Sequence, residues 1–251
     1  MQTDCQYVSA IVFAVLGTVI GSVFSIVCSA KIHHSHLGVL GAIAAGMMSG
    51  CSIVMFMESV LALGFVSGLV SVAFGVGIMS FLDYFVSKYI SSASFEFSGL
   101  AGPKAIRVLI LFLSLSVHSI GEGFSLGLAS TIPTGSIVSL SLALHNIPEA
   151  AALSFAFKAK GVSDMHAIFF SIISTLPQSL LAFPVASYFT SVSSTVELAL
   201  GVSAGCMVWA VLTEILPEAN QSCGKRLSLI LASSSAILLI AFDLYSHSNV
   251  R

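Results

Sequence analysis

The chain has 251 residues, 57% of them hydrophobic and only 8% charged, with a mean hydropathy of +1.04. A soluble domain carries roughly 25% charged residues, so so few charges exclude an ordinary water-facing surface and make lipid the expected main solvent. The net charge of −2 gives no electrostatic footing for nucleic acid, and five scattered cysteines (Cys5, Cys28, Cys51, Cys206, Cys223), with no CxxC spacing, indicate neither a disulfide framework nor a thiolate zinc site.

A spanning helix needs about 20 mostly apolar residues. The start, Met1 to Gln6, lacks the basic region of a signal peptide, and the first span, Tyr7–Ala30, is long enough to stay in the membrane. The loop that follows carries His33-His34-Ser35-His36. Short His-rich tracts bind zinc weakly and flexibly, so this one is a candidate acceptor or sensor for arriving metal, against the plainer reading of a polar loop. The second span is Leu37–Met57. Glu58, beside Met55 and Met57, is a candidate entrance residue, and between Glu58 and Gly64 the second span nearly touches the third, Phe65–Val86. Asp83 ends that span as an interfacial residue or part of an exit path, and Ser87 to Lys104 reads as an irregular connection. The fourth and fifth spans are Ala105–Ala129 and Ser136–Phe157, the sixth is Ala167–Tyr188 and the seventh is Val196–Leu216, with Glu214 and Glu218 at its cytoplasmic end as a candidate exit path. The eighth is Leu227–Tyr245. Glycines at four-residue spacing (Gly17 and Gly21, Gly46 and Gly50, Gly123 and Gly127) let helix backbones approach closely, and general helix packing accounts for them.

The expected fold is therefore an all-α integral membrane bundle of eight helices, a single membrane domain over residues 1–251 with short loops. Eight spans put both termini on one side of the bilayer. Eight of the nine basic residues (Lys31, Lys88, Lys104, Arg107, Lys158, Lys160, Lys225, Arg226) fall on the opposite side, leaving only Arg251. The positive-inside rule assigns the crowded side to the cytoplasm and both termini to the extracytoplasmic side.

An ionisable group inside a membrane is costly and marks a functional site by default. Glu122 and Glu149 sit near the middle of the fourth and fifth spans, each four residues after a histidine, His118 and His145. Residues i and i+4 share a helix face, so each helix offers an imidazole and a carboxylate one turn apart. Two sequential antiparallel helices can bring all four together near mid-bilayer. Polar glue between helices, a proton relay and a metal site compete for this arrangement. The metal reading wins, because a dication offsets two buried carboxylates and because imidazole and carboxylate are a usual zinc donor set that also suits iron and manganese. Pro148 removes a helical N–H and frees the carbonyl of Leu144, and Gly121 and Gly123 leave the backbone beside Glu122 open. Such interrupted helices near the midplane build many transporter sites. Ser119 and Asn146 add neutral oxygens beside the histidines.

Span four reads His118-Ser-Ile-Gly-Glu122-Gly123, with Gly127 following, and span five reads His145-Asn-Ile-Pro-Glu149-Ala150. Together these resemble the paired signature of the Zrt/Irt-like (ZIP) family of metal ion transporters. The seventh-span ending Glu214-Ile-Leu-Pro-Glu218-Ala219 resembles its GufA-like branch. The resemblance implies a ZIP-type bundle that imports Zn²⁺, and in some members Fe²⁺, Mn²⁺ or Cd²⁺, into the cytoplasm, through rocking or sliding of one helix group against another. It also implies one metal on His118, Glu122, His145 and Glu149. Members with a binuclear centre place a second metal on the shared glutamates, the residues after the histidines and a sixth-span carboxylate. Here those positions hold Ser119, Asn146 and Gln178, all neutral, so one strong metal position is expected and at most a weak second.

The ion is cargo and no prosthetic group is expected. The partners are the divalent metal and the lipid bilayer, in the plasma membrane or an organelle membrane, with a homodimer among the candidate assemblies. An enzyme is not expected: HExxH, the intramembrane zinc protease signature, and ExxH, the di-iron signature, are both absent. A proton-coupled carrier of organic solutes would leave the doubled His/Glu arrangement without a role. An iron or manganese transporter of the same type, or a metal sensor without transport, fits the same residues.

Overall fold

The computed structural model describes residues 2–30, 34–90, 95–129, 146–147, 149–151, 153–188 and 193–248. Six helices in it are long and apolar enough to cross a membrane: Gly38–Leu63, Phe65–Tyr89, Pro103–Phe124, Asp164–Ala186, Leu198–Cys223 and Lys225–Tyr245. A shorter apolar stretch, Ile11–Val27, lies within the first helix. The chain is a helical, multi-pass integral membrane protein.

Its elements are α1 (Gln2–Ala30), α2 (His34–Leu63), α3 (Phe65–Tyr89), β1 (Glu96–Phe97), β2 (Leu100–Ala101), α4 (Pro103–Ala129), α6 (Asp164–Tyr188), α7 (Ser193–Ala210), a π turn (Val211–Ile215), α8 (Leu216–Cys223) and α9 (Lys225–Ser248). Between α4 and α6, helical residues fall within 146–159 and are called α5 here. The preceding part of the expected fifth span, including His145 and Leu144, lies outside the described residues, as does Pro148.

Glycine sets two of the reversals. α2 runs through Glu58 to Leu63, well past the expected end at Met57, because nothing before Gly64 breaks the helical ladder. Gly64, at φ 85°, then turns the chain in one residue. Gly224, at φ 86°, does the same between α8 and α9. α5 closes in a Schellman motif, with the Val162 N–H on Phe157 O at 3.0 Å, the Gly161 N–H on Lys158 O at 2.9 Å and Gly161 at φ 94°.

Two expectations need correction. The connection from Ser87 to Lys104 contains a hairpin rather than irregular chain alone: Glu96 pairs with Ala101 and Phe97 with Leu100. Ser98 and Gly99 both take positive φ, which is what a tight two-residue hairpin turn requires. The hairpin is held by Phe97, whose ring stacks on Phe170 at 5.0 Å and lies against Phe112. In addition, α2 begins at His34, so His34 and His36 belong to its first turn and not to a loop; His33 lies outside the described residues.

α4 packs against α6 and α7, α1 against α6, and α2 against α7, α8 and α9, while α3 lies along α7. The span Leu198–Cys223, which begins in α7, is 67% buried and Lys225–Tyr245 of α9 only 6%. α7 is thus an inner helix, while α9 presents Ile230, Leu238 and Phe242 outward. Small residues permit the close approaches. A Cβ on Gly46 would meet Ala232 O at 2.0 Å on α9, one on Gly21 would meet Ile147 O at 2.1 Å on α5, and one on Gly127 would meet Val185 Cβ at 2.6 Å on α6. Buried hydroxyls return their protons to the preceding turn of their own helix, as Thr18 does to Ala14 O, Ser52 to Met48 O and Ser171 to Ala167 O.

A candidate metal site between α4 and α5

The helical repeat puts His118 and Glu122 on one face of α4, and the approach of α5 adds Glu149. One ligand atom from each of these three side chains lies within 4.8 Å of the others. His118 Nε2 is 3.1 Å from Glu122 Oε1 and 3.7 Å from Glu149 Oε1. All three residues are buried. Neither His118 Nε2 nor either oxygen of Glu149 has a hydrogen-bond partner among the described residues.

The other ring nitrogen explains where Nε2 points. His118 Nδ1 lies 3.2 Å from the backbone oxygen of Ser203 and 2.6 Å from its Oγ. The Ser203 hydroxyl lies 2.8 Å from His118 O and donates to it. A ring nitrogen and two carboxylates facing one another in a buried position form an arrangement that needs a positive charge at its centre. Two ionised carboxylates carry −2, which a dication cancels. The donor types, one imidazole and two carboxylates, fit zinc, and fit iron or manganese as well.

The neutral residues named beside the site make hydrogen bonds away from its three ligand atoms. Ser119 donates to Leu115 O at 2.9 Å. The Asn146 amide nitrogen donates both to Ala14 O at 3.3 Å and to Gln178 Oε1 at 3.0 Å, tying α5 to α1 and α6. Gln178 follows Pro177, one of two prolines inside α6. With Nδ2 committed twice and Gln178 Oε1 already accepting, Asn146 Oδ1 is the oxygen of this pair left without a hydrogen-bond partner among the described residues.

Glu214 and Glu218, expected near an exit path, are both ion-paired. Glu214 Oε1 is 2.9 Å from Arg107 Nη1 on α4, its Oε2 is 3.1 Å from Lys160 Nζ, and Glu218 Oε2 is 3.6 Å from the same Lys160 nitrogen. Arg107 is eleven residues, or about 16 Å of helix, from His118. A small crevice beside this cluster is lined by Gly38, Gly41, Phe155, Ile215, Glu218 and Ser222. Pro217 explains the π turn: it lacks the N–H that would bond Thr213 O, so the ladder shifts and the Leu216 N–H bonds Val211 O instead. Asp83 is half-buried, with Ser87 Oγ 3.4 Å away, and Glu58 is exposed on α2.

Two features escaped the sequence reading. Ser203 sits in the small-residue run Gly201-Val-Ser-Ala-Gly205 and has no local signal that distinguishes it from packing serines. Lys160 and Arg107 read as loop charges for topology, and nothing local ties them to Glu214.

A protein-family model described as "ZIP Zinc transporter" matches residues 97–240, more than half of the chain. An Arabidopsis thaliana protein named "Putative zinc transporter" is 33% identical over 156 residues, covering 59% of this chain and 25% of its own length. The chain therefore aligns with about a quarter of the curated relative it matches. His118, Glu122 and Glu149 all lie inside the family match.

Proposed function

The chain belongs to the ZIP zinc transporter family, and from that premise we propose that it carries divalent transition-metal ions, zinc first among them, across the bilayer into the cytoplasm. The observation that supports this reading most is the convergence of one imidazole and two carboxylates from two helices within 4.8 Å in a buried position. His118, Glu122 and Glu149 ligate the ion, and His145, one turn before Glu149 in sequence, supplies the fourth donor. The bundle has eight spans, the fifth being Ser136–Phe157, and both termini are extracytoplasmic.

The metal enters from the outer side, sheds most of its water and is held by these four groups. Ligation needs neutral imidazole and ionised carboxylate, so protons compete with the ion. A rearrangement of the bundle then opens the site inward. Asn146 and Gln178 are neutral and bonded to each other, which favours a single strong metal position over two.

The test is radioactive zinc uptake into proteoliposomes by the parent chain and by His145→Ala and Glu149→Ala at matched protein levels, with iron and manganese as competitors. Uptake that depends on both residues supports transport through this site, and the competition pattern ranks the metals. Uptake untouched by either substitution overturns the site assignment. Stoichiometric zinc binding without uptake by the parent favours a sensor.

A further inference from the structure

The ligands proposed above belong to α4 and α5, yet the groups that hold the His118 ring belong to α7. Ser203 is 1% exposed and offers His118 Nδ1 two oxygens, its backbone O at 3.2 Å and its Oγ at 2.6 Å. The two are not equivalent. A hydroxyl can donate or accept, but a backbone carbonyl only accepts. A carbonyl facing the ring nitrogen is favourable only if that nitrogen carries the proton. Nδ1 is therefore the protonated nitrogen, and the hydroxyl, free of any need to donate to it, sends its own proton to His118 O at 2.8 Å. Nε2 is the nitrogen left to face Glu122 and Glu149, and so to meet the ion.

Local packing makes this contact possible. A Cβ on Gly121 would lie 2.4 Å from Ser203 Cβ, 2.8 Å from its Oγ and 2.9 Å from Ala199 O. Bare backbone at Gly121 lets α7 come close enough for a side chain as short as serine to reach the imidazole one turn back on α4. A larger residue at position 203 would push the helices apart, and alanine would fit but leave Nδ1–H with the carbonyl alone.

We propose that Ser203 is a positioning residue for metal binding: it selects the Nδ1–H tautomer of His118 and anchors the ring, so that Nε2 ligates the ion. This rests on the reading of His118 as a ligand. A ligating histidine generally donates its second ring N–H to an oxygen, and loss of such a partner costs about 10–100-fold in metal affinity.

The experiment compares parent, Ser203→Ala and Ser203→Cys in detergent micelles. Zinc affinity is measured by isothermal titration calorimetry. The nitrogen of His118 that keeps its proton in the zinc-loaded protein is read from ¹⁵N-histidine NMR, with the signal assigned by its loss in His118→Asn. Cysteine keeps roughly the size of serine but is a weak hydrogen-bonding group, so it separates bonding from packing. The expected result is a proton kept on Nδ1 in the zinc-loaded parent, zinc affinity lower by about tenfold or more in the alanine and cysteine variants, and unchanged melting of the metal-free proteins. Parent-like affinity in Ser203→Cys, or an Nε2–H tautomer in the parent, overturns the proposal. If Ser203→Ala does not accumulate as folded protein, the cysteine variant carries the test. A parent that binds no zinc overturns the metal reading and this proposal with it, whereas a parent that binds zinc but keeps its proton on Nε2 overturns this proposal alone.

Discussion

Glu214→Gln removes one negative charge from a cluster where two cations and two carboxylates meet, and the structure says which contact matters. Arg107 is 55% exposed, so its pair with Glu214 is partly solvated and is worth about 0–1 kcal/mol. Lys160 is 10% exposed against 2% for Glu214, so that pair at 3.1 Å is enclosed. Removing one partner of a buried pair costs about 3–5 kcal/mol because the other charge is stranded. Glu218, 3.6 Å from the same ammonium and 33% exposed, retains part of the compensation. The substitution should therefore destabilise by about 2–4 kcal/mol. Double-mutant cycles with Lys160→Met and Arg107→Met, read by reversible unfolding in mixed micelles, apportion the loss. The Glu214–Lys160 coupling should exceed the Glu214–Arg107 coupling by about 1 kcal/mol or more. The Lys160→Met/Glu214→Gln double variant should recover much of the single-variant loss, since neither charge is then left alone. A Glu214→Gln variant within about 0.5 kcal/mol of the parent, or a larger coupling to Arg107, would falsify this reasoning.

Three further outcomes are expected. Glu149→Gln keeps the side chain's size but leaves the site one charge short, so zinc affinity should fall by more than the ~10–100-fold loss typical of a supporting partner; calorimetry on the purified protein checks it, and parent-like affinity removes Glu149 from the ligand set. Zinc binding should weaken steadily from about pH 7.5 to about pH 5.5, because the ligands must shed protons to bind the ion; equilibrium dialysis that finds flat or rising affinity contradicts that donor set. Gly46→Ala would place a methyl 2.0 Å from Ala232 O and 2.1 Å from Ser235 Oγ, forcing α2 and α9 apart at a cost of about 1–3 kcal/mol. A thermal melt in detergent should show it, whereas Gly77→Ala, with nothing within 4 Å, is the control that should leave stability nearly unchanged.

What could be read from the residues alone is local. A run of apolar residues long enough to span a bilayer is a property of the run itself, so helices such as Phe65–Tyr89 and Lys225–Tyr245 were expected close to where they lie. The stacking of His118 over Glu122 follows from 3.6 residues per turn, with no knowledge of any neighbour. Helix ends were less legible: polar residues such as Glu58 and His34 do not stop a helix at an interface, and glycine at positive φ does. The Leu-Pro-Glu sequence at 216–218 held the cause of the π turn, since a proline always deprives the carbonyl four residues back. Reading it needed only that rule.

The tertiary structure decided everything that depends on two helices meeting. That Glu149 comes to His118, that Ser203 meets its other ring nitrogen and that Glu214 lies between Arg107 and Lys160 are results of how α4, α5 and α7 approach one another. Close approach is set by where glycine removes a side chain, at Gly121 of α4 against Ser203 of α7 and at Gly21 of α1 against Ile147 of α5. A glycine in the sequence announces that close contact is possible, but not with what. The amino-acid sequence by itself determined the solvent, six membrane-length helices and the pairing of His118 with Glu122 on one helix, because backbone geometry and hydropathy act over a few residues; partners across helices are separated by up to 192 positions along the chain, and only packing brings them within bonding distance.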